Sequence, residues 1–213
     1  MNLYAKIFKK IIYFTCRVFA VVLPYKRIEQ LSLFKKILYT YWISGEFKSF
    51  GDKSLITNPI DIKGGKYIEI WKHVSIGKNS ILNAWQKHQN DTYVPSIIIG
   101  NNTHLGEGCH ISAITKIIIG NNVLTGRRVS IIDNSHGESS LVDFLKPPSK
   151  RKLSSKGPII IEDNVWIGDK VTILSGVTIG VNSIIGANSV VSKNVPANSI
   201  VGGVPAKLIK TIK

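Results

Sequence analysis

Cysteine is scarce in this 213-residue chain: Cys16 and Cys109 are the only two. They set up no disulfide framework, so a reducing, cytoplasmic setting is the default. Acids are scarce as well, 13 against 28 Lys and Arg, and the formal charge of +15 calls for a partner or a surface. Long apolar runs are missing. Ile11 to Leu23 is almost wholly apolar but contains Arg17 and stops at Pro24, too short and too charged for a transmembrane helix. Lys9 and Lys10 precede that stretch as in a signal peptide, yet Pro24-Tyr25-Lys26-Arg27 is a poor cleavage site. No nucleic-acid recognition motif is present, and basic charge without one gives only nonspecific potential, so no nucleic-acid partner is expected.

Residues 1–50 differ in composition from residues 51–213 and form a basic, apolar extension. They hold nine Lys or Arg against Glu29 and Glu46, a local charge of +7. Two helices are expected, roughly Tyr4 to Leu23 and Ile28 to Tyr41. Basic amphipathic helices carrying Phe, Tyr and Trp42 suit peripheral contact with an anionic membrane, on its inner cytoplasmic face. Packing on the rest of the molecule or on neighbouring subunits, with the lysines solvated, remains an alternative.

What is abundant is a period of six. Ile161, Ile167, Ile173, Ile179, Ile185 and Val191 are all aliphatic, and the residues four further on, Val165 to Val195 at the same step, are all Val or Ser. Upstream, Ile99, Leu105 and Ile111 keep the step, Ile119, Thr125 and Ile131 resume it, and Ile70, Ile76 and Leu82 form the first coil. A sheet protein of the usual kind shows period two and a helix shows i, i+3, i+4; neither keeps step six. The period is that of a parallel β-helix, whose short strands bury their apolar faces only by stacking into coils. Gly such as Gly100, Gly120 and Gly168, followed by Asn, Asp or Lys, fits tight corners, where positive φ favours glycine and Asn or Asp.

Between Ile131 and Ile161 the period fails. Asp133-Asn134-Ser135-His136-Gly137 leaves the coil, and a polar stretch follows before Gly157-Pro158 restarts it. Long excursions from a solenoid are commonly functional. A histidine at the base of one can take a proton from a hydroxyl and return it, although His136 reads equally as a loop residue bonded to its neighbours. Lys146, Lys150, Arg151, Lys152 and Lys156 make the excursion basic, which favours an anionic acceptor or steers an anionic cosubstrate, or is simply solvated.

From Ile97 to the C-terminus the chain resembles the hexapeptide-repeat acyltransferases, in particular the sugar O-acetyltransferases of capsule and lipopolysaccharide biosynthesis. The markers are Asp133 to Gly137, Pro147-Pro148-Ser149-Lys150-Arg151, Ser155-Lys156-Gly157-Pro158, Asn164-Val165-Trp166-Ile167-Gly168 and the closing Gly203-Val204-Pro205-Ala206-Lys207. The resemblance implies an all-β fold, a left-handed parallel β-helix with an N-terminal helical extension and a short C-terminal cap. It also implies a homotrimer with sites at subunit boundaries, and acetyl-CoA as acyl donor without a metal.

Residue by residue, the resemblance makes His136 the general base for direct attack of an acceptor hydroxyl on the thioester. Asn134 stands where many relatives have a first histidine, so the second must act. Asp133 orients the site or caps the loop backbone. Trp166 takes the aromatic position near the active site. Ala187 and Ser192 match positions along the pantetheine arm, while Lys193, Lys207 and Lys210 match cations at the 3′-phosphate end. Asn134 and His110 are acceptor-binding candidates. The rival within the fold, a zinc enzyme with three histidines, fits poorly: His104 and His110 are six apart and no histidine follows His136. The expected activity is acetyl transfer to a hydroxyl of a sugar or surface-polysaccharide precursor. N-acetylation of a nucleotide-linked amino sugar, O-acetylation of serine and a noncatalytic scaffold are the alternatives.

Overall fold

The computed structural model describes residues 3–138 and 140–212. They fall into two compact units, one ending at Leu38 and one running from Tyr39 onward. In the first, helix α1 (Leu3–Val22) is followed by the start of helix α2 (Tyr25–Ser44). The break is at Pro24, which has no N–H to continue α1 but begins α2 well, its carbonyl accepting from Arg27 N at 2.8 Å.

The last turns of α2 belong to the second unit. Ile43 and Phe47 are buried in its core, and the Thr40 hydroxyl is bonded to both the N–H (2.9 Å) and the C=O (3.2 Å) of Ile56. Solenoid ends expose apolar surface and unpaired strand edges, so they need such covers. Part of the segment that composition assigns to the extension is therefore a cap on the coils.

Three flat faces make up the coils. The first stacks Ser49–Phe50, Ile68–Ile70, Ser96–Ile99, Lys116–Ile119, Ile159–Ile161 and Thr178–Ile179. The second stacks Leu55–Ile56, Ser75–Ile76, His104–Leu105, Leu124–Thr125, Trp166–Ile167, Ile184–Ile185 and Ser199–Gly202. The third stacks Ile60–Lys63, Ser80–Ala84, His110–Ala113, Ser130–Ile132, Thr172–Leu174 and Val190–Val191. Every pairing within these faces is parallel; the final strand, Lys207–Thr211, turns back antiparallel on Ser199–Gly202 and closes the far end. One step of six is one side of the triangle, so Ile161 pairs with Ile179, Ile167 with Ile185 and Ile173 with Val191. All six are buried, each stabilising the core by about 1.5–3 kcal/mol. Phe50, Ile56 and Ile62 keep the same step, which adds a coil before the one expected to be first.

The corners differ from the expectation in one respect. Asn102, Asn122, Asn164, Asn182 and Asn198 adopt the left-handed φ (53–59°), not the glycines before them. Their amides form a ladder, each Nδ2 donating to the next Oδ1 at 2.9–3.2 Å. Glycine is needed there for close approach: a Cβ on Gly168 would lie 2.6 Å from Ala187 N, and one on Gly120 would lie 2.8 Å from the Glu162 carbonyl carbon. Cys109 is a buried core residue whose thiol pKa is pushed up by burial, and Cys16 is exposed.

Candidate functional site

Two excursions leave the same edge of the triangle, between the third and first faces. The lower one departs after Ala84 and returns at Ser96; the upper departs at Asp133 and returns at Ile159. Between them the chain rounds the corner tightly through Ile114 and Thr115. The upper excursion is closed at its base by an antiparallel pair, Ser135 against Ser154 and His136 against Leu153. Gly137 O accepts from Ser154 Oγ at 2.6 Å and Ser135 Oγ at 3.1 Å. Beyond it a single helical turn, Leu141–Phe144, is capped by Ser140 Oγ, which accepts from Asp143 N at 3.2 Å.

The lower excursion is a hairpin pairing Lys87–His88 with Asp91–Thr92. Its far strand grips the upper excursion. Tyr93 Oη donates to Leu153 O (3.2 Å) and accepts from Leu153 N (3.1 Å), Asp91 pairs with Lys152 at 3.5 Å, and Gln89 Nε2 donates to Ser149 O. This brings the His88 ring edge-on to the His136 ring, centroids 5.4 Å apart at 69°. Trp85 stands edge-on to His88 in turn (6.1 Å), with the Lys63 ammonium 3.6 Å from the indole centroid. His136 is exposed, and its ring meets that of His88 edge-on.

Asp133 and Asn134 are occupied differently. Asp133 is fully buried, and its carboxylate accepts from Ile114 N (2.8 Å), Thr115 N (2.8 Å), Thr115 Oγ1 (2.7 Å) and Asn134 Nδ2 (3.2 Å). It ties the start of the excursion to the corner of the preceding coil. Asn134 Nδ2 also donates to Ser112 O (3.0 Å) and Ser112 Oγ (3.1 Å), and the Trp85 indole N–H donates to the same hydroxyl at 3.2 Å. Ser112 thus links the two excursions at their roots.

The remaining candidates are spread round the triangle. Ser192 and Lys193 follow Val191 at the edge from which His136 projects, and Ala187 lies at the edge between the second and third faces. Trp166 points outward from the second face, 53% exposed, in one row with Ile184, Ile200 and Lys210. Lys207 lies on the same closing strand. The second face is the side opposite the His136 edge, so one chain does not bring His136 and Trp166 together.

His110 sits on the third face, beside Ile81 and Ser130, half-buried, and burial pushes its pKa below the ordinary value. Its folded-state pKa is thus below its unfolded one, so the contribution to stability is fully present above the unfolded value of about 6.5 and is lost as pH falls through the folded value. A His110→Gln variant should show a flatter decline in melting temperature than the parent as the pH falls below about 6.5. Equal declines would mean the ring titrates normally. His104 lies on the second face, apart from His110, and among the described residues no three His, Cys, Asp or Glu side chains gather as a metal set.

Sequence reasoning left His88 and Trp85 unassigned. Their signal was the same kind as that of His136, an interruption of the period, here between Leu82 and Ile97.

Residues 158–193 match the bacterial transferase hexapeptide family (six repeats). A putative lipopolysaccharide biosynthesis O-acetyl transferase of Escherichia coli K12 is 37% identical over 118 residues, 54% of this chain and 60% of that protein. A putative acetyltransferase of Schizosaccharomyces pombe is 40% identical over 120 residues, 54% of this chain and 55% of that one. The chain thus spans less than two thirds of the length of these curated relatives. Among solved structures, the Bacillus cereus N-acyltransferase AntD in complex with dTDP and 3-hydroxybutyryl-CoA superposes with a TM-score of 0.68. It is 22% identical, over 82% of this chain and 88% of that one, a likeness of fold. A hexapeptide-repeat containing acetyltransferase of Vibrio cholerae gives a TM-score of 0.57 at 29% identity, over 84% and 81% of the two chains. Residues 158–193 thus carry the hexapeptide repeat of these transferases, and the chain shares the left-handed parallel β-helix of the solved structures.

Proposed function

We propose that this chain is an acetyl-CoA-dependent O-acetyltransferase acting on a hydroxyl of a sugar or surface-polysaccharide precursor. The observation that carries the reading is the placement of His136: an exposed imidazole fixed in a short ladder and braced by a second excursion. In this reading His136 removes the acceptor's hydroxyl proton as the oxygen attacks the thioester carbon. The tetrahedral intermediate collapses, the C–S bond breaks, and the imidazolium returns its proton to the departing thiolate. No acyl-enzyme is needed.

The separation of His136 from the second face supports a homotrimer. The edge of one copy would meet the second face of the next, and the coenzyme would lie in the groove between them. Trp166 would then face the active site of a neighbour, with Lys210 in the same row reaching the phosphates as a point charge. Lys193, Lys207, Ala187 and Ser192 complete that proposed groove, and His110 and Asn134 are proposed on the acceptor side. The reading includes peripheral contact of residues 1–50 with the inner face of the cytoplasmic membrane, where a lipid-linked precursor would be met.

Mass spectrometry of the host's surface glycans, with and without the gene, tests this reading. Loss of an acetyl that mild base removes, an ester and not an amide, is the expected result. An unchanged glycan refutes it, and loss of a base-stable acetyl moves the reaction to an amine. Light scattering on the purified protein should give three copies; a monomer that turns over acetyl-CoA would contradict the shared site.

A further inference from the structure

Every described side chain of α1, from Tyr4 to Val22, is exposed, and the two kinds of side chain are segregated. At about 100° per residue, Lys6, Lys10 and Arg17 fall within a sector of roughly 40°, with Lys9 beside it. Ile7, Phe8, Ile11, Phe14, Val18 and Phe19 occupy an arc of roughly 140° that adjoins this sector and holds no charge. The helix contains no acid. It has an aromatic on its charged side too, with the Arg17 guanidinium 5.3 Å from the Tyr13 ring centroid.

Helix α2 is built otherwise. Lys26, Arg27, Glu29, Lys35 and Lys36 are distributed round it with no clean apolar half, and its last turns are buried in the cap of the coils. The helices therefore have different jobs, and the apolar arc of α1 is the face left for a partner.

We propose that α1 lies in the plane of an anionic lipid bilayer, its Phe-rich arc among the acyl chains and its Lys and Arg at the phosphate level. Charge complementarity selects this occupant: four cations and no acid, flanking an apolar arc, suit an anionic interface. A helix of 20 residues is roughly 30 Å long, yet no described helix is apolar enough to cross a membrane, so α1 lies on the surface. Lysine and arginine stems extend along the apolar boundary while their charged ends stay hydrated. This sharpens the membrane contact included in the proposed function and does not depend on the acyl-transfer chemistry.

The test is flotation of the full chain with vesicles, which needs neither acetyl-CoA nor an acceptor. Vesicles of phosphatidylcholine mixed with phosphatidylglycerol should bind the protein at least about tenfold more tightly than phosphatidylcholine alone, given about one RT-scale increment per cation. Both a Phe8→Ser/Phe14→Ser/Phe19→Ser variant and a Lys6→Glu/Lys10→Glu/Arg17→Glu variant should lose that binding while melting as the parent does. Undiminished binding by either variant overturns the proposal, as does equal binding to neutral vesicles. Failure of the parent to float, with the serine variant changing the particle size in solution, would assign the face to another copy of the chain and overturns it as well. Vesicle binding without glycan acetylation would leave this inference standing and remove the enzymatic one.

Discussion

Replacing His136 by alanine should lower acetyl transfer about 10²- to 10⁴-fold, the usual worth of a positioned general base. The melting temperature should not move, because the ring is exposed and holds no part of the core. The effect should fall on kcat and leave the KM for acetyl-CoA nearly unchanged, since the base acts on the acceptor's proton. His88 provides the comparison. It touches His136 through its ring edge alone, so His88→Ala should cost less, and His88→Phe, which retains a flat ring in the same place, should recover much of the loss. The measurement is thiol release from acetyl-CoA with a panel of sugar acceptors, alongside thermal denaturation. Parent-level turnover in the His136→Ala protein would sink the assignment of the base.

Asp133→Ala should instead act on stability, by about 3–5 kcal/mol. The substitution strands the N–H groups of Ile114 and Thr115 and the Thr115 hydroxyl, all of which donate to this one buried carboxylate. Each stranded buried donor costs about 1–3 kcal/mol, less where water enters the gap. For a chain of this size the melting temperature should fall by roughly 6–20 °C. Activity should fall with it, as the upper excursion loses its anchor to the preceding coil. Asp133→Asn retains one acceptor and should lie between the two. A protein that keeps its full melting temperature while losing activity would return Asp133 to the chemistry. Thermal melts read beside turnover at a temperature where both proteins are folded separate the two roles.

The coils were legible because their physics is local. A six-residue step can be read from Ile161 to Val191 without knowing what touches what, since each coil repeats the same burial. The first coil, at Phe50, Ile56 and Ile62, is obscured in the sequence because its pattern starts within the basic, apolar segment. At the corners the residue types were right and their division of labour was not: φ near 55° and a Cβ clash are both reasons for an unusual residue, and only coordinates tell them apart.

The candidate site was legible in part, through His136, because a break in a strict period is conspicuous. Its surroundings were not. His88 and His136 are 48 positions apart and meet because both excursions leave one edge, with Tyr93 and Leu153 bonded across the gap. Asp133 could be read equally as a functional carboxylate or a cap; four donors round a fully buried side chain gave it a place in the scaffold.

By itself the sequence determined the repeat, the basic extension and the one histidine at the main interruption, since periodicity, composition and a break are properties of a string. Only the tertiary structure decided that two interruptions share an edge, that Trp166 and Lys210 stand in one row on the opposite face, and that α2 ends in the core while α1 is left exposed. The physical reason is that stacking converts distance along the chain into position round a triangle. Residues a coil apart become neighbours, and residues one side apart face different ways.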